Sequence, residues 1–195
     1  MKQLEDVIEI FSKLPGLGPR SARKIALHFI KKRHTLLPIL KDKLDILANN
    51  VHECKICGNY GESDKCDICK DDKRDKKTLC IVNDVSDVWA IERTKSYNGI
   101  YHVLGGLLSA IDGITPSNLK LDKLILRVQN DKINEVIFAL PVTIEGQTTL
   151  HYIAEILKPC GVKITMLALG IPVGGELDYL DDGTILNAIK ARNVF

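Results

Sequence analysis

Long apolar runs are missing from this 195-residue chain. A membrane-spanning helix needs roughly 18 or more consecutive apolar residues, and the longest candidate, ITMLALGIPV, is interrupted by Gly170 and Pro172. Glu5 and Asp6 stand where a secretory leader would carry its apolar segment, so a cytoplasmic protein is expected. Aromatic residues are scarce at 5%, which leaves few rings to stack on exposed bases and disfavours a zinc-ribbon RNA binder. No Gly-Lys-Ser or Gly-Lys-Thr triplet occurs, which excludes a Walker-type phosphate loop. Acidic residues are absent from Ile10 to Leu40, although the net charge of the chain is only +2. That window holds Lys13, Arg20, Arg23, Lys24, Lys31, Lys32 and Arg33, a local excess of the kind that attracts phosphate. An isolated run of this sort is also compatible with a solvated helix face, so its neighbours decide the reading.

What is present suits a globular protein. Apolar residues make up 45% and charged residues 27%, and the length fits one medium domain or two small ones. Leu4, Val7, Ile8 and Phe11 recur at helical spacing, and so do Ala22, Ile25, Ala26, Phe29 and Ile30 after a break at Leu14-Pro15-Gly16. A third helix is expected with Leu40, Leu44, Leu47, Ala48 and Val51 on one face. These three helices are small for an independent core and should lean on a neighbour or another subunit. From residue 78 to residue 170 the texture changes. TLCIVN, EVIFAL and KITMLAL are apolar runs of strand length, with SDVWAIERT and TTLHYIAEILK reading as intervening helices. Strands alternating with helices predict a parallel sheet covered on both faces. Beyond it, IPVGGELDYLDDGT and ILNAIKAR read as an arm and a short helix.

Four of the six cysteines form two C-x-x-C pairs, Cys54 with Cys57 and Cys66 with Cys69. Four thiolates complete the tetrahedral shell of a zinc ion and leave no open position, so the expected ion is structural. Gly58 and Gly61 supply the bends, His52 is read as a surface residue, and Cys80 and Cys160 as small core residues.

The segment LPGLGPRSARKIALHFI raises the question of what two glycines, bracketed by prolines and followed by bases, are for. A dinucleotide fingerprint is excluded because a helix, not a strand, precedes Gly16, and Ser21 occupies the third glycine position. Two helices joined by a tight turn remain. Gly16 and Gly18 bring bare main chain close to a ligand, and the N-terminus of the second helix offers free amides to a phosphate. Arg20 and Lys24 flank that seat, with Arg23 beside them. The arrangement resembles the helix-hairpin-helix motif, which holds a nucleic-acid backbone without reading bases; an ordinary helical turn is the alternative.

The second half resembles a Toprim domain, the magnesium-holding module of topoisomerases and primases. That pattern wants a glutamate after the first strand and an Asp-x-Asp pair after a later one. Here Asn83 stands at the first position, with Pro141 and Thr143 at the pair, and only Glu145 keeps its acid. Asp84 and Asp87 lie nearby as candidate replacements. One carboxylate is a poor cage for a hard dication, so a magnesium-dependent nuclease or primase-like enzyme is the alternative reading.

The order of these parts, with YNGIYHVLGG, IDGITP and LGIPVGGELDYLDDGT, resembles the RecR family of bacterial recombination mediators over essentially the whole chain. The resemblance implies an α+β multidomain protein: a helix-hairpin-helix region over 1–53, a four-cysteine zinc finger over 54–69, a Toprim-like α/β domain over 78–170 and a C-terminal arm and helix over 171–195. It further implies a non-enzymatic factor that binds single- and double-stranded DNA without sequence preference and closes into rings, dimers becoming tetramers. Such a factor acts with RecO and RecF to load RecA and is associated with the nucleoid. By position, Arg20 and Lys24 match the DNA-touching bases of the family hairpin, and Glu145 matches an acid that meets RecO.

Overall fold

The computed structural model describes residues 1–192, so the last three residues of the expected 171–195 arm lie outside the described residues. The chain divides into two compact units, Met1–His52 and a second beginning at Glu53.

In the first unit α1 (Lys2–Ser12) and α2 (Pro19–Lys31) form a helical hairpin, followed by α3 (Leu36–Asn50). The small side chains Ala22 and Ala26, at 0% and 2% exposure, are the only buried residues of α2 and let α1 pack closely against it. Phe11 and Phe29 meet across the hairpin with ring centroids 5.8 Å apart. Much apolar surface stays open within this unit, including Ile10, Ile39, Leu44 and Leu47.

The second unit is built on β1 (Thr78–Val82), β2 (Ile100–Val103), β3 (Glu135–Ala139) and β4 (Lys163–Met166). These strands lie in the order β2-β1-β3-β4, all parallel. β1 pairs Leu79 with Ile100 on one side and with Val136 on the other. Because side chains alternate across a strand, Leu79 and Ile81 face one layer and Cys80 and Val82 the other. The first layer is closed by Leu121, Leu124 and Val128 of α6 (Leu121–Asn130) and by Ile153 and Leu157 of α7 (Ile144–Leu157). The second is closed by Val85 and Val88 of α5 (Val85–Thr94). The expected parallel sheet with two covered faces is therefore present, with β2 and α6 added to the strands and helices read from sequence. A final helix, α8 (Asp182–Lys190), follows the arm.

β2 is an edge strand, yet all four of its residues are buried. An exposed sheet edge is a liability, and here the cysteine-rich segment covers it. The Val103 amide donates to the Cys57 carbonyl at 2.7 Å, and Ile68 from the single-turn helix α4 (Asp67–Lys70) packs on the layer that holds Tyr101 and Val103. Lys120 reaches Glu53 at 2.9 Å beside this junction. On the following segment Arg74 holds Glu92 of α5 through both carboxylate oxygens and also donates to the Gly99 carbonyl. Tyr101 donates to the same Glu92 at 2.7 Å. The cysteine-rich segment is thus an integral part of this unit.

Candidate nucleic-acid interface and metal centre

The four cysteine sulfurs of Cys54, Cys57, Cys66 and Cys69 all lie within 4.8 Å of one another. A zinc ion with four bonds of about 2.3 Å sets sulfurs about 3.8 Å apart, so the donor set fits the ion. Gly58 follows the first pair at φ +79°, and a Cβ there would stand 3.0 Å from the Val103 carbonyl oxygen. At Gly61 a Cβ would stand 2.9 Å from Cys66 Cα, so both expected bends require glycine. Left to themselves, four thiols this close hold negative charge unequally. Hydrogen bonding from Cys57 and then Cys69 pulls Cys66 far down, whereas hydrogen bonding to Cys66 and Cys69 and then burial push Cys57 up. A dication removes that conflict by favouring the thiolate at every position. Cys80 behaves differently: it sits in β1 at 2% exposure, and burial first, then Asp87, pushes its thiol up to about 12, as expected of an inert core residue. Cys160 is half-buried against the first layer, and His52 is exposed.

In the hairpin, Gly16 turns the chain at φ +76°, the left-handed region that favours glycine. Gly18 does not: it is the N-cap of α2 with φ −83° and ψ 169°, an extended conformation open to any residue. Neither glycine has an atom within 4 Å of the place a Cβ would take. The backbone therefore needs glycine at 16, while at 18 glycine only keeps the surface bare. No side chain caps α2, and Pro19 begins it, so first-turn amides remain for a ligand. Arg20 and Lys24 are exposed one turn apart on one face. Arg23 lies about 60° round the helix from Arg20 by the ~100° step per residue, in a shallow depression that also takes in Glu5 and Glu9. None of the three makes an ion pair among the described residues, whereas Lys13 is held by Glu9 at 2.6 Å.

The Toprim-like acids have local employment. Asp84 caps α5 by accepting from the Ser86 amide at 2.9 Å, and Asp87 accepts in return from the Asp84 amide at 3.0 Å. Thr143 caps α7 by accepting from the Gly146 amide at 3.1 Å. Glu145 stands in the first turn of α7, half-buried, in a shallow depression shared with Leu108, Ile111, Ile114, Ile144 and Thr148. Ile111 and Ile144 are 95% and 82% exposed there. Sequence reasoning found the four-cysteine cluster but not the joint between the zinc module and β2. Its one signal was YNGIYHVLGG, whose glycines flank a strand too short to read by alternation.

No helix among the described residues is long and apolar enough to cross a membrane. Four family profiles match along the chain: the RecR helix-hairpin-helix over residues 4–45, the RecR four-cysteine zinc finger domain over 51–71, the Toprim domain over 77–168 and the RecR C-terminal region over 170–193. The four-sulfur cluster is accordingly a structural zinc site. A protein of Paramagnetospirillum magneticum named "Recombination protein RecR" is 52% identical over 193 residues, covering 99% of this chain and 98% of that protein. Proteins of the same name from Methylobacterium radiotolerans and a Caulobacter species are 51% and 52% identical, covering 99% and 97% of this chain and 96% and 95% of theirs. With the hairpin, the four-sulfur centre and the acid-poor Toprim sheet in this order, and with such similarity along its length, the chain belongs to the RecR family.

Proposed function

We propose that this chain is a non-enzymatic recombination mediator of DNA repair that grips the DNA backbone through the α1–α2 turn. Gly16 and Gly18 let the strand approach, the first-turn amides of α2 seat a phosphate, and Arg20, Arg23 and Lys24 neutralise its neighbours. The observation that carries the reading is Gly18, which is glycine although neither its backbone angles nor its surroundings require it. Backbone contacts of this kind hold single and double strands alike and carry no sequence preference.

Cys54, Cys57, Cys66 and Cys69 are the zinc ligands, and zinc serves by closing the sheet edge at β2. The sheet performs no turnover. The reciprocal cap of Asp84 with Asp87 and the N-cap made by Thr143 support this, because the side chains nearest the Toprim metal positions are engaged at helix N-termini. Glu145, beside exposed Ile111 and Ile144, is the contact for a protein partner; RecO is the partner that the family assignment favours, with RecF acting alongside, and loading of RecA on single-stranded DNA is the outcome. The open apolar groove of the first unit, lined by Val7, Ile10, Ile30, Leu37 and Leu44, supports assembly into a ring-like homo-oligomer, dimer to tetramer. Several hairpins around one strand then add their contacts through effective concentration. The regions 1–53, 54–69, 78–170 and 171–195 serve as DNA grip, zinc clamp, partner platform and subunit tie, in a cytoplasmic, nucleoid-associated protein.

Light scattering of the purified protein with and without DNA, in magnesium, tests the proposal. Expected are oligomers larger than one chain, a shift on adding DNA and intact DNA at the end. A monomer that ignores DNA, or cleavage that disappears in Glu145→Ala, overturns it.

A further inference from the structure

We propose that the phosphate-binding surface runs the whole length of α2, from the hairpin turn to Lys31, so that each subunit holds DNA at two points. This rests on reading the hairpin turn as a DNA seat and extends it to residues at the opposite end of the helix. The argument begins with the helical wheel. At about 100° per residue, Lys24 lies about 40° and Lys31 about 20° round from Arg20, so the three form one narrow stripe. The buried or half-buried Ala22, Ile25, Ala26 and Phe29 fall on the far side, between about 140° and 240° from Arg20. Packing of α2 against α1 therefore leaves the stripe facing outward. Leu27, 43% exposed, fills the gap in the line between Lys24 and Lys31.

The stripe carries no acid of its own. No acid occurs from Ile10 to Leu40, and among the described residues Arg20, Lys24 and Lys31 are exposed and free of ion pairs, while Glu5 and Glu9 of α1 lie at its margin, toward Arg23 and Leu27. Bases at a helix C-terminus can instead serve the helix dipole. Here, however, none of the side chains of Lys31, Lys32 and Arg33 bonds a helix carbonyl, and Arg33 Nε donates to His34 Nε2 at 2.9 Å. The distance also suits a duplex. Arg20 and Lys31 are about 16 Å apart along the axis at ~1.5 Å per residue, which matches roughly five base steps at ~3.4 Å per step along a duplex axis.

The test compares salt dependence of binding for the wild type, the hairpin pair Arg20→Ala/Lys24→Ala, the distal variant Lys31→Ala and the triple variant. The probe is a fluorescent duplex of about 30 base pairs, and melting temperatures are recorded alongside. The slope of log affinity against log salt changes by about 0.9 for each phosphate contact removed. The expected result is that the hairpin pair flattens the slope by up to about 1.8 and Lys31→Ala by up to about 0.9 per engaged subunit, that the triple variant flattens it by the sum, and that melting is unchanged. A Lys31→Ala variant that leaves the slope intact while the hairpin pair flattens it overturns this proposal and spares the hairpin reading; a lowered melting temperature with that intact slope would assign Lys31 to the helix dipole. Slopes unchanged in both variants overturn both readings. A distal effect without a hairpin effect overturns the two-point grip.

Discussion

Replacing Gly18 by alanine separates the two reasons a glycine can occupy a turn. Its φ of −83° and ψ of 169° are accessible to alanine, and no atom stands within 4 Å of the added Cβ. The folded state should therefore change by less than about 1 kcal/mol: alanine is a slightly poorer N-cap than glycine, and it lowers the entropy of the unfolded chain, which partly offsets the difference. Gly16→Ala is the contrasting variant. At φ +76° a side chain costs about 1–2 kcal/mol, so its melting temperature should fall by several degrees. DNA affinity should behave oppositely at Gly18. A methyl group between the main chain and a phosphate weakens one amide–phosphate hydrogen bond, and hydrogen bonds to charged groups are worth about 1.5–3 kcal/mol. That corresponds to a loss of about tenfold to 150-fold per site. Fluorescence anisotropy with a labelled oligonucleotide, alongside thermal melting of the same samples, gives both quantities. A Gly18→Ala protein that melts normally and binds DNA with wild-type affinity would refute the reasoning.

His102 should make the second unit acid-sensitive. Burial, then the charge of Arg127, holds the imidazole down at about 3, while Nε2 contacts the Lys120 carbonyl and Nδ1 is buried without a partner. The ring stays neutral when folded and takes a proton when unfolded, so stability falls as pH drops from about 6.5, by up to about 1.4 kcal/mol per unit. Urea unfolding between pH 7 and 5 should show that slope in the wild type and a shallower one in His102→Phe; parallel curves would contradict it. Glu92, lowered by its hydrogen bond with Arg74, contributes only at more acid pH, because its stabilisation is lost as pH falls through a value below the ordinary 4.5. Zinc removal should loosen the sheet edge: hydrogen exchange at the Val103 amide, which donates to Cys57, should rise at least about tenfold on chelation while Ile137 in the central β3 stays protected. Equal protection before and after metal loss would detach zinc from the edge.

Much of the site was legible because its chemistry is written in spacing. Two C-x-x-C pairs announce a four-sulfur centre whatever surrounds them, and the helical period around Ala22 and Ala26 fixes which side of α2 faces out. The Toprim sheet was readable where strands are long and apolar, as in β1 and β3. β2 was not, because four residues are too few to show a period and its burial comes from a segment far earlier in the chain, around Cys57 and Ile68. The roles of Asp84 and Asp87 were equally hidden. Their side chains were free to be metal ligands in sequence and proved to be a reciprocal cap, a matter of local dihedrals and not of residue type. At the turn itself only Gly16 is required by its backbone angles, a distinction the two glycine letters do not carry.

The most direct measurement is the affinity of the zinc-loaded protein for two oligonucleotides of unrelated sequence, followed from low to high salt. The account predicts tight binding at low salt, indistinguishable affinities for the two sequences and a steep, equal decline for both. No binding at the lowest salt, or a preference for one sequence that survives as salt rises, would contradict it.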